Sequence, residues 1–105
     1  MGVIDMDNFY AQAVCHAAVH TYGKEHQKLL AIEEMSELTK ALCKDTRYPN
    51  TPAVLDNIAE EIADVRIMLD QLEYIFGNTE DVKKYKGKKI KRLAERLNKA
   101  QHKSK

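Results

Sequence analysis

From Leu30 to Phe76 apolar residues recur every three or four positions, interrupted once by the segment Asp45 to Asn50, DTRYPN. Successive residues of an α-helix turn by about 100°, so residues three or four apart share a face. Leu30, Ala31, Met35, Leu38, Ala41 and Leu42 form one apolar arc, and Ile58, Ile62, Val65, Met68, Leu69, Leu72, Ile75 and Phe76 form a second. Each arc carries a pair of carboxylates spaced i, i+3, on the face or at its edge: Glu34 with Glu37, and Glu61 with Asp64. Glu33 and Glu60 point away. This pattern excludes strands over the middle of the chain and predicts two helices turning acid groups towards one interior.

Such a placement is costly, because a carboxylate taken from water without a partner loses several kcal/mol of solvation, about what a desolvated ion costs, and neighbouring carboxylates repel. A cation offsets both terms. Ligation by oxygen alone suits hard ions such as Mg²⁺ or Mn²⁺, whereas zinc sites favour Cys and His and di-iron bundles use Glu-x-x-His, which occurs nowhere here. Glu34, Glu37, Glu61 and Asp64 are therefore the expected metal ligands and catalytic residues. The bland alternative for any one acidic pair is a surface salt bridge; two matching inward pairs argue against it.

At these positions the chain resembles the MazG-like, all-α nucleoside triphosphate pyrophosphohydrolases, whose pattern is EExxE followed by ExxD. Here the two parts are Glu33-Glu34-Met35-Ser36-Glu37 and Glu61-Ile62-Ala63-Asp64, and the likeness runs from about Tyr22-Gly23 to Leu97, most closely to the short, phage-type members. The resemblance implies a four-helix, all-α fold and Mg²⁺-dependent hydrolysis of a nucleoside triphosphate to the monophosphate and pyrophosphate. It further implies dimers or tetramers, and basic residues of the last helix near the phosphates.

A chain of 105 residues is one domain, expected over residues 1–100 with a flexible basic tail over 101–105. No apolar run approaches the ~18–20 residues that span a bilayer, and MGVIDMDNF lacks a signal pattern, so a cytoplasmic protein without a membrane partner is expected. Cys15 and Cys43 lie far apart and read as buried thiols. The net charge of +1 conceals a division: residues 1–81 carry 6 Lys+Arg against 15 Asp+Glu, residues 82–105 carry 11 against 1.

In chain order, Asp5 or Asp7 is expected to cap a first helix ending at Tyr22, with Phe9, Ala13, Ala17 and Val19 turned inward and Gly23 as its stop. His16 and His20 share a face but lack the Glu of HExxH and a third ligand, so packing is their expected role. The second helix should span Lys24 to Lys44; Gln27, one turn before the acids, reads as solvated. Thr51-Pro52 opens the third helix, Gly77 closes it, and Asn78 or Thr79 begins the fourth. That last helix places Val82, Ile90, Leu93, Leu97 and Ala100 on one side, flanked by Tyr85, Lys89, Arg92 and Arg96, and Gly87 is expected to weaken or bend it. Lys89, Arg92 and Arg96 are the candidate triphosphate-binding residues, since Arg offers a planar fork and Lys a compact charge.

No Ser, Cys or His nucleophile stands in a triad, and no GxxxxGK[ST] loop is present. Hydrolysis would fall to metal-activated water, with a ligating carboxylate such as Glu37 accepting its proton. The rival reading is a non-catalytic helical module that binds a nucleotide or nucleic acid through the basic helix. Contact with nucleic acid is not the favoured role. The third helix also carries Ile67 and Tyr74 opposite its main arc, more apolar surface than a small chain covers, so a homodimer or homotetramer is expected.

Overall fold

Four α-helices follow one another in the computed structural model, which describes the backbone of residues 2–103 and the side chains of residues 8–102. They are α1 (Gly2–Tyr22), α2 (Lys24–Arg47), α3 (Pro52–Phe76) and α4 (Thr79–Lys103), and no strand occurs among the described residues. The fold is all-α, and no described helix is long and apolar enough to cross a membrane.

The boundaries follow local chemistry. Gly23 holds φ at 94°, a conformation that costs glycine little, and the chain turns there from α1 into α2. Pro52 begins α3 after Thr51, whose hydroxyl donates to the Tyr48 carbonyl at 2.9 Å and so does not cap the helix. Asn50 takes the left-handed conformation at φ 64°, which Asn tolerates better than most residues. Gly77, at φ 60°, ends α3 with its N–H donated to the Glu73 carbonyl.

Several expected boundaries shift. α1 begins at Gly2, so Asp5 and Asp7 stand within the helix and not at its start, and their side chains lie outside the described residues. α2 continues to Arg47, three residues past Lys44, so the connection to α3 is shorter than DTRYPN. Gly87 neither starts nor interrupts α4, which runs on to Lys103 and absorbs most of the expected tail; Ser104 and Lys105 lie outside the described residues.

α2 and α3 form a hairpin with the most extensive contact in the molecule, and α1 packs against both. Gln27 meets Gln71, while Glu34 meets Glu61 and Asp64, so the two helices run in opposite directions. Ala31 and Ala41 of α2 let the backbones approach beside Val54 and Met68 of α3, all four buried. α1 turns Cys15 and Val19 inward, four apart; Phe9 is 75% exposed and Ala13 and Ala17 are exposed, correcting the expected inner face. Cys43 is exposed on the solvent side of α2, so only Cys15 is a buried thiol. Burial first, and then the charge of Asp70, raise the Cys15 pKa and keep it a neutral packing group. α4 touches only α3, and every side chain from Asp81 to His102 is exposed.

Candidate metal centre

The α2–α3 hairpin presents its carboxylates across the helix pair. One oxygen each from Glu34, Glu61 and Asp64 lies within 4.8 Å of the others, and all three residues are half-buried. Glu34 projects from α2 between the buried Ala31 and the half-buried Leu38, while Glu61 and Asp64 occupy one turn of α3 between Ile58 and Val65. The Oε2 atom of Glu61 is buried without a hydrogen-bond partner.

Electrostatics record the crowding. Burial, then the charge of Asp64 and its hydrogen bonding with Glu34, then the charges of Glu61 and Glu33, raise the pKa of Glu34. Glu61 is raised by burial first, then by Asp64, Glu37 and Glu60. Both shifts say that negative charge here lacks compensation within the chain.

The fourth expected ligand stands apart. Glu37 pairs with Lys40 at 3.7 Å, three residues along α2, and is not among the oxygens that converge. Its charge still reaches Glu61. Lys89, Arg92 and Arg96 are exposed on α4, and no described ion pair joins them to the acidic group. Within one chain the structure therefore brings together three of the four carboxylates and none of the three cations.

About two turns along α2 from Glu34, an amide network crosses the core. Gln27, only 2% exposed, donates from Nε2 to Gln71 Oε1 at 2.8 Å and accepts at Oε1 from His26 Nδ1 at 2.7 Å. Gln27 is thus not the solvated residue its polarity suggests. The signal lay in spacing: it precedes buried Ala31 by four positions, and Gln71 follows buried Met68 by three. Tyr74 likewise turns out to be covered by α1, stacked on His16 with ring centroids 3.6 Å apart and hydrogen-bonded through its hydroxyl to His20 Nε2. The two histidines pack, as expected, and they remove Tyr74 from the surface assigned to a partner.

Replacing Gln71 with Ala should leave the buried Gln27 amide N–H unsatisfied and destabilise the fold by about 1–3 kcal/mol. Urea denaturation measures this; Gln71→Glu, which keeps an acceptor, should cost less than Gln71→Ala if the hydrogen bond and not volume sets the penalty.

Comparison with protein-family models, with curated proteins and with solved structures finds no match to this chain.

Proposed function

We propose that the chain is a nucleoside triphosphate pyrophosphohydrolase of the MazG-like type, acting in the cytoplasm to control or cleanse a nucleotide pool, possessing Mg²⁺ or Mn²⁺ as its cofactor. The observation that carries this reading is the convergence of one oxygen each from Glu34, Glu61 and Asp64 within 4.8 Å of one another, together with a Glu61 Oε2 atom that is buried and has no hydrogen-bond partner. An all-carboxylate donor set with uncompensated charge suits a hard dication better than a softer metal. The EExxE and ExxD spacing points the same way.

Glu34, Glu61 and Asp64 would hold the ion. When bound, it would supply charge neutralisation for phosphate oxygens and acidify a coordinated water. Glu37, one turn from Glu34 and held by Lys40, retains a carboxylate close enough to bias Glu61 and is the proposed proton acceptor. Lys89, Arg92 and Arg96 are proposed for the triphosphate on their charge alone.

Incubating the protein with a panel of ribo- and deoxynucleoside triphosphates and Mg²⁺, with pyrophosphate and orthophosphate measured separately, tests the reading. Pyrophosphate in equimolar yield with the monophosphate is expected. Exposure of the whole cationic face of α4 favours the second reading, a nucleic-acid-binding module. Steeply salt-dependent binding to duplex DNA with no pyrophosphate release would select it instead.

A further inference from the structure

We infer that Lys40 and Lys44, on the edge of α2 beside the carboxylates, bind the diphosphate end of the substrate and the pyrophosphate product. The inference rests on the hydrolase reading for its choice of ligand.

Helical geometry sets both lysines next to the acidic group. At about 100° per residue, Lys44 lies within about 20° of the direction of Glu37 and Lys40 within about 60°, roughly 10.5 and 4.5 Å further along the axis. Side chains of a helix lean towards its N-terminus, so lysines one and two turns beyond Glu37 lean back over it. Lys40 does so, with its Nζ 3.7 Å from a Glu37 oxygen. That pair is loosely held, because Lys40 is 74% exposed and the separation exceeds that of a charge-assisted hydrogen bond. Turning from Glu37 to a phosphate oxygen therefore costs little. The Lys44 side chain is exposed and has no ion-pair partner among the described residues. Its backbone is fixed, since its carbonyl accepts the Tyr48 N–H at 2.9 Å.

α3 leaves the space across from these lysines free of acid. The antiparallel register that joins Gln27 to Gln71 sets Asn57 and Ala53, both exposed, on the facing edge at the level of Lys40 and Lys44. Charge along this edge of the hairpin thus passes from the carboxylates of Glu34, Glu61 and Asp64 to the cations of Lys40 and Lys44. A phosphate chain bridged to carboxylates by a dication calls for that order, with its free and most highly charged end on compact cations of the protein. A basic last turn also suits the negative end of the helix dipole, a role that Arg47 fills equally. Arg47 differs in lying about 80° from Glu37 and a turn further off. Among the described residues no comparable pairing links the cations of α4 to the centre.

Isothermal titration with magnesium pyrophosphate, at fixed ionic strength, reads the site without turnover. Lys40→Gln and Lys44→Gln should each weaken pyrophosphate binding ~10-fold or more, and Lys40→Arg should restore most of the loss. Arg47→Gln removes the same charge off the edge and should cost no more than ~2-fold. Mn²⁺ alone, followed by electron paramagnetic resonance, should bind the lysine variants at least as tightly as the wild type. Equal losses in the three Gln variants would overturn the inference, because a diffuse field and not a located site would then hold the anion. So would weaker Mn²⁺ binding in the lysine variants, or a wild type that takes up no pyrophosphate. Pyrophosphate held through Lys40 and Lys44 by a protein that hydrolyses no nucleoside triphosphate would leave the inference standing and remove the hydrolase reading. Turnover with unchanged KM in both lysine variants would do the reverse.

Discussion

Glu61→Gln should lower pyrophosphate release by three orders of magnitude or more, while the metal-free protein becomes no less stable than the wild type. Glu61 contributes one of the three converging oxygens, and its Oε2 atom is buried without a hydrogen-bond partner, so its charge is uncompensated by the chain itself. Neutralising it removes a ligand needed for a dication and relieves repulsion from Asp64, Glu37 and Glu60. Glu34→Gln and Asp64→Asn should behave alike. Glu37→Gln should preserve ion binding better, because that carboxylate is turned to Lys40, yet lose turnover if it takes the proton. Glu60→Gln, on an exposed position, is the control and should be nearly silent. Steady-state pyrophosphate assays with circular dichroism on the same samples make the comparison; full activity in all three ligand variants would sink the metal-site reading.

Adding Mg²⁺ or Mn²⁺ at about a hundred times its dissociation constant should raise the melting temperature at neutral pH by on the order of 10 °C, and Glu61→Gln should abolish the rise. Acid should mimic the ion in part. The pKa values of Glu34 and Glu61 are raised in the folded state, so the folded chain holds these protons more tightly than the unfolded chain does. Their contribution favours folding at low pH and is lost as pH rises through the raised values, with the ion restoring it above that range. Differential scanning fluorimetry across the carboxylate range, with chelator and with Mg²⁺, separates the two routes. A melting temperature blind to divalent cations at neutral pH would contradict the proposed centre.

Much of this arrangement was legible in the residues. The 3.6-residue period identified four helices, Pro52 and Gly77 marked both ends of α3, and the acidic spacing put Glu34, Glu61 and Asp64 on facing surfaces. What escaped has physical reasons. Helical angle fixes a face but not a rotamer, so Glu37 could swing to Lys40. Alanines scattered around α1 blur its period, so that Val19 and Cys15 are buried as expected while Phe9, Ala13 and Ala17 are exposed. An amide reads as polar from sequence, yet Gln27 and Gln71 satisfy each other and can be buried together. The stripe on α4 reads as a core face, and a sequence does not say whose core.

The short connection between α2 and α3 bears on how the molecule is reached, not only on what it is. Contacts between neighbouring helices close small loops and form early, while those joining α1 to Tyr74 span 54 residues and must wait. The three converging carboxylates belong to the early pair. Their mutual repulsion is then expected to be met in the folding transition state and to slow assembly of the hairpin, and a dication that drew them together would act on the rate at which the chain folds as well as on the fold it holds.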